Sequence, residues 1–330
     1  MLKKSLSLAS ISALFGTGSA ALACDSYEEV VSAWLPIMQT TAYYVAIEEG
    51  LFEEACINLV SNKMQSPNHI IDALVGGRAD FGPPGAAAGI AMIAEAKFPN
   101  TFKVFGLQGG GLKIERLNDS LVVKEGSDIQ SFADLKGKTI GHVPGIQWRT
   151  ITSHLIRESG LDPEKDVQLV DLAVPQQVPA VLGGSVDATL SLEPIGSIAS
   201  VTAGVTVASM NPVAQTVSDP FFSGAAVLTT KFIEERPEVA RKVVDIIDRA
   251  TKLANEDFDS YKAILPTYTA IRDEQLEHLA QPYLRSFSDI TEEDLNSYQA
   301  FVDVFVSEGV LEEPMDVRSK MLTEADFSKH

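Results

Sequence analysis

The feature that most limits the fold of this chain is a strand–helix alternation that fills its first two thirds and starts over midway. Extended stretches at Tyr27–Trp34, Ile57–Ser61, Ala79–Gly82 and Phe102–Leu107 alternate with helical ones at Thr41–Glu49, at Pro67–Val75 and in "PPGAAAGIAMIAEAKF". Such a rhythm predicts a parallel sheet covered by helices on both faces. It resumes with strands at Ser120–Lys124, Thr139–His142, Val167–Val170 and Ala188–Leu192. Between them lie a capped turn, "SFADLKGK", and helical stretches at Gln147–Ser159, Gln176–Leu182 and Pro194–Ala203. From Glu234 onward the chain reads as almost wholly helical, including "RDEQLEHLAQPYL". The two halves echo each other as two similar α/β lobes would, without a strict repeat.

The first residues predict export. Lys3 and Lys4 precede a modest apolar run from Leu6 to Leu22, and Ala21-Leu22-Ala23 offers the small residues of a signal-peptidase site. Residues 1–23 are therefore expected to be a signal peptide, too short and too rich in Ser and Gly for a membrane span. Cleavage would make Cys24 the first residue, which raises a lipid anchor. A lipoprotein site carries a large aliphatic residue where this chain has Ala21, so a soluble periplasmic form is preferred. About 307 residues then remain, more than one core usually serves, and two domains are expected. The formal charge of −19 disfavours nucleic acid and anionic membrane surfaces.

Cys24 and Cys56 are the only cysteines. An oxidising compartment permits one disulfide between them, and two unrelated thiols are the alternative. Neither has a cluster of histidines or acids beside it, so no structural zinc site is expected.

Four motifs in order, "YYVAIEEGLFEEACINL", "ALVGGRADFG", "SFADLKGKTIGHVPG" and "VPAVLGGSVDATLSLEP", resemble the solute-binding proteins of ABC importers. The similarity is to the branch serving nitrate, sulfonates, taurine and pyrimidine or flavin precursors, and it runs from about Ala33 to Glu238. It implies a type II periplasmic binding fold: two Rossmann-like lobes joined by a two-strand hinge, with C-terminal helices on the first lobe. Lobe I would hold residues 24–120 plus 225–330, and lobe II residues 121–224. It also implies that the first two strands are parallel neighbours, which sets Cys24 and Cys56 at one sheet edge and predicts a Cys24–Cys56 bond. A membrane permease with its ATPase, a small-molecule solute, no cofactor and a monomeric state complete what the resemblance implies.

Ligands of open α/β sheets sit beyond the carboxyl ends of strands, against helix N-termini. "WLPIMQTT" holds that place after the first strand, making Trp34, Gln39 and Thr40 candidates, with Tyr44 at the cleft edge and Tyr43 assigned to the core. Gln65 and Gln108 follow the second and fourth strands, and Pro84 and Gly85 expose backbone after the third. On the second lobe the candidates are Gly145, Gln147, Trp148 and Arg149, with Glu193 as the cleft acid. An arginine in a first helical turn opposes the helix dipole, so Arg149 calls for an anionic ligand group or a carboxylate such as Glu193. Two tryptophans and two tyrosines with several amides favour a planar heteroaromatic ligand, pyrimidine- or flavin-like. A sulfonate, taurine, nitrate or other small organic anion is the alternative. On either reading, replacing Trp34 or Arg149 is expected to weaken binding without loss of folding.

A pyrimidine-precursor synthase-like enzyme shares the implied fold but needs a cysteine cluster, which two cysteines cannot supply. The five histidines, at 69, 142, 154, 278 and 330, have no metal spacing, and no phosphate loop or nucleophile elbow occurs. The expectation is a carrier, not an enzyme.

Overall fold

A computed structural model describes residues 24–328. The segment expected to be a signal peptide lies outside the described residues. Eleven strands are described: β1 Glu28–Trp34, β2 Ile57–Lys63, β3 Phe81–Ala87, β4 Phe102–Gly110, β5 Asp119–Lys124, β6 Thr139–His142, β7 Gln168–Asp171, β8 Ala188–Leu192, β9 Val205–Met210, β10 Phe221–Thr229 and β11 Tyr283–Arg285. They form two sheets, a six-stranded one in the order β11-β4-β10-β3-β1-β2 and a five-stranded one in the order β7-β6-β8-β5-β9.

The sheets share a plan. Each has a parallel core, β2-β1-β3 in the first and β7-β6-β8 in the second. Each core is then bordered by an antiparallel strand that enters from the other lobe, β10 in the first sheet and β5 in the second. The chain crosses to the second sheet between β4 and β5 and returns between β9 and β10. The expected boundaries at 120/121 and 224/225 fall inside β5 and β10, each of which is an unbroken strand of its own sheet.

Helices cover the sheets because their apolar residues recur at helical spacing. Those used below are α1 Thr41–Glu48, α2 Pro67–Val75, α3 Ala88–Lys97, α4 Ile146–Glu158, α5 Gln177–Gly183, α6 Ile195–Ala199, α7 Pro237–Glu256 and α8 Glu292–Ser307. In α7, Val239, Val243, Ile246, Ile247, Ala250 and Ala254 form one buried stripe, and that stripe packs on α1. Pro67 at the first position of α2 and the Ser66 side chain accepting from His69 N start that helix where the sequence places it. Ser131 and Asp134 form a reciprocal capping box in the turn before β6.

Two sequence expectations are corrected. The third strand does not stop at Gly82 but runs through both prolines to Ala87, with α3 beginning at Ala88. Pro83 and Pro84 hold extended backbone within β3 and do not open the helix, whose entry through proline was expected. The segment "RDEQLEHLAQPYL" is not one helix. It holds a short 3-10 turn, Asp273–His278, followed by β11, which pairs antiparallel with β4 at the sheet edge.

β1 and β2 pair in parallel from Glu28↔Ile57 onward, and Cys24 and Cys56 just ahead of them are joined in a disulfide, with Cα atoms 5.6 Å apart. No helix among the described residues is long and apolar enough to cross a membrane.

Candidate ligand cleft between the two sheets

A cavity of about 630 Å³ lies between the lobes, at the carboxyl ends of the parallel strands. The first lobe contributes residues 35–39 after β1, 65–67 after β2, Gly85 and Ala87 of β3, and Ser223 and Gly224 of β10. The second contributes Val143, Pro144, Gln147 and Trp148 after β6, the run 173–175 with Val178 and Pro179 after β7, and residues 192–195 with Ile198 and Thr202 after β8. A third source is the segment 269–272 with Gln275, which reaches the mouth from the C-terminal region.

Six of the sequence candidates line this space: Gln39, Gln65, Gly85, Gln147, Trp148 and Glu193. Gln39 is buried, and its Nε2 donates to the backbone carbonyl of Glu193 across the cleft at 3.0 Å. Gln147, also buried, accepts from Gly89 N at 2.7 Å through Oε1 and donates to Ser223 O at 2.8 Å through Nε2. One amide on α4 thereby closes the first turn of α3 and grips β10, linking the lobes. Trp148, 3% exposed, supplies a flat apolar wall.

Glu193 is a cleft acid whose oxygens are already engaged. Ser197 Oγ donates to Oε2 at 2.6 Å, and Ser197 N donates to the same carboxylate at 3.2–3.3 Å. Burial pushes its carboxyl above the ordinary range, with a smaller push from the nearby Asp119. Asp119, fully buried at the start of β5, is raised to about 6 by desolvation, partly offset by bonds from Val213 N and Asn118 Nδ2.

The other candidates lie elsewhere. Trp34 does not line the cavity. Its Nε1 donates to Ser61 Oγ at 2.7 Å, and its ring packs against Tyr43, Tyr44 and Tyr268 on the far side of the 35–39 loop. Tyr44 stacks on Tyr268 with centroids 4.4 Å apart, and its hydroxyl donates to the carbonyls of Leu35 and Ile37. It braces the cavity loop from behind, and burial raises its phenol strongly. Tyr43 is core, as expected, with its hydroxyl bonded to Ser32 and Ser61. Thr40 is buried and donates to Leu35 O. Pro84 is buried within β3. Gly145 caps α4 at φ 111°, with Asn68 of the first lobe nearby.

Gln108 is buried behind the cavity, where its Oε1 accepts from Gly85 N at 2.7 Å. The Gly85 N–H expected to meet a ligand is thus already satisfied. The residue must still be glycine, because φ is +104° and a side chain would collide with Thr40 Oγ1. Arg149 is exposed and outside the cavity, and the Glu193 carboxylate proposed as its partner is bonded to Ser197 instead.

Sequence reasoning missed two contributors. The run "AVPQQVP" follows β7 and supplies Val174, Pro175, Val178 and Pro179, so the strand-end rule applied to β7 could have found it. The segment 269–275 brings Ile271 and Arg272, and no local pattern announces that it folds back over the cleft. Arg272 is the one cationic residue among the described residues lining the cavity, and its Nε lies 3.2 Å from Glu274.

The sequence and the fold both have relatives among known proteins. A putative aliphatic sulfonates-binding protein of Bacillus subtilis (strain 168) is 26% identical over 233 residues, covering 69% of this chain and 66% of that protein. The match therefore spans just under two thirds of that relative's length. The crystal structure of the periplasmic aliphatic sulphonate binding protein SsuA from Escherichia coli matches with a TM-score of 0.71 at 18% identity, over 90% of this chain and 93% of that one. The periplasmic nitrate-binding protein NrtA from Synechocystis PCC 6803 matches at 0.72 and 12% identity, over 92% and 88%. These structures share the fold with this chain. The family model described as NMT1/THI5 like covers residues 37–259, more than half of the sequence. The chain belongs to the NMT1/THI5-like family and has the two-lobe fold of periplasmic solute-binding proteins.

Proposed function

We propose that this protein is the extracytoplasmic solute-binding component of an ABC importer and that its solute is a small organic anion of the sulfonate class. The observation that carries this reading is a cavity walled from both sheets, so that bound solute touches both lobes. A ligand shifts a hinge equilibrium only through such differential contact. The solute would enter between open lobes, the lobes would close on it, and the closed form would deliver it to a membrane permease driven by its ATPase.

The sulfonate class is preferred to a planar heteroaromatic for two reasons. Relatives named for aliphatic sulfonates stand on both the sequence and the fold side. The aromatic clamp also dissolves on inspection: Trp34 and Tyr44 pack into the first lobe, leaving Trp148 as the ring at the cavity.

Calorimetric titration of the purified protein against alkanesulfonates, alkyl carboxylates, taurine, nitrate and aminopyrimidines tests the proposal. Saturable binding of an organic anion, with the solute recovered unchanged, is expected. Selective binding of an aminopyrimidine, or conversion of any solute, would replace this reading with the heteroaromatic carrier or the enzyme respectively.

A further inference from the structure

Building on the carrier reading above, we infer that the cleft selects its solute by an apolar body buried between the lobes, with the anionic head held at the mouth by Arg272. Bare inorganic anions and short or zwitterionic sulfonates are thereby rejected.

The floor of the cavity offers an oxyanion little. An anion in this fold would be expected at the β3–α3 junction, where backbone N–H groups and the helix dipole converge. Here Gly85 N is bonded to Gln108 Oε1 and Gly89 N to Gln147 Oε1, each at 2.7 Å. The amide donors are occupied as well, Gln39 Nε2 by Glu193 O and Gln147 Nε2 by Ser223 O. In this arrangement of the lobes both amides are nearly fully buried.

The charge at the floor opposes an anion too. Glu193 lines the cavity, and Asp119 lies close enough to raise its proton affinity. An anion placed beside these acids would meet like charge, with the Gly85 and Gly89 N–H groups and the Gln39 and Gln147 side-chain amides already engaged. Arg272 lies on the segment that covers the mouth, exposed enough to keep its charge solvated while it meets a head group. Between mouth and floor the walls are apolar, with Trp148, Ile195, Ile198 and six prolines.

A series of 1-alkanesulfonates from methane- to octanesulfonate, titrated into the wild-type protein, tests this directly. Affinity is expected to rise about fourfold for each added methylene until the cavity is full. Methanesulfonate, taurine, sulfate and nitrate are expected not to saturate at millimolar concentration. The Arg272→Gln variant should bind octanesulfonate about tenfold more weakly while keeping the same slope per methylene, and its wild-type melting temperature would show that it folds. A flat series, or tightest binding by methanesulfonate or an inorganic anion, would overturn the inference and leave the carrier reading in place. So would an Arg272→Gln variant of unchanged affinity. Failure of every organic anion to bind at any chain length would sink the proposed organic-anion class itself.

Discussion

The side-chain amide of Gln39, in the first lobe, donates to the backbone carbonyl of Glu193, in the second, across the cavity at 3.0 Å. A bond of this kind adds to the closed arrangement and is absent once the lobes part. Gln39→Ala is therefore predicted to favour opening and to leave the Glu193 carbonyl without its partner. One such bond is worth about 0.5–1.5 kcal/mol, so ligand affinity should fall by up to about tenfold. Small-angle scattering should show a larger radius for the ligand-free variant than for the wild type. Equal radii and equal affinities would mean that the bond has no share in closure.

The placement of the rings reverses the mutational expectation drawn from sequence. Trp34 is 7% exposed, bonded to Ser61 and surrounded by three tyrosines. Trp34→Ala should cost about 3–5 kcal/mol of stability by opening a cavity in the first lobe. Arg149→Ala, on an exposed site away from the cleft, should stay within about 0.5 kcal/mol and bind with wild-type affinity. Denaturant unfolding of both variants alongside ligand titration checks the pair. A fully stable Trp34→Ala protein that had lost binding would restore the ring to the site.

What could be read from sequence follows from how local each signal is. The strand–helix rhythm and the caps at Ser66 and Ser131 depend on neighbours within one or two turns, and the elements appear close to where they were expected. The strand-end rule likewise places Gln39, Gln65, Gln147 and Glu193 at the cavity, because strand ends are local and the parallel sheet aligns them. The direction in which Trp34 and Tyr44 turn was not legible. It is set by Tyr268, more than 200 residues away, which stacks on Tyr44 and closes the ring cluster. The amide plugs were hidden for the same reason. Gln108 gave no sign that it serves Gly85, nor Gln147 that it serves Gly89 in the other lobe. Arg272 is the extreme case, carried to the cleft by a segment outside the α/β repeat.

The disulfide closes a loop of 32 residues at the edge of the first sheet. Constraint of the unfolded chain by a loop of that length is worth about 3–4 kcal/mol. The Cys24→Ala, Cys56→Ala double variant should accordingly unfold at lower denaturant than the oxidised protein, while its ligand affinity stays unchanged. The bond lies ahead of β1 and β2 at Glu28↔Ile57, whereas the cavity loops follow the other ends of those strands. An unchanged unfolding midpoint would indicate that the reduced chain retains the same constraint by other means.

Asp119 links the crossing between lobes to pH. It is fully buried, and desolvation raises its carboxyl to about 6, whereas an unfolded chain would titrate near 3.9. Between those values the folded protein binds a proton that the unfolded chain has released. Stability contributed by this group is therefore complete below about pH 4 and declines as pH rises to about 6, then stays level. Two units of difference correspond to a loss on the order of 2–3 kcal/mol. Glu193, raised by burial and by Asp119, acts in the same direction. Exposed carboxylates held low by backbone and side-chain donors, such as Asp134 and Asp162, act oppositely at lower pH, so the wild-type profile is a sum. Asp119→Asn isolates the group. The difference in unfolding free energy between variant and wild type should shift in the variant's favour from pH 4 to 6.5 and be constant above that. A difference that does not vary with pH across this window would show that Asp119 keeps an ordinary carboxylate affinity despite its burial.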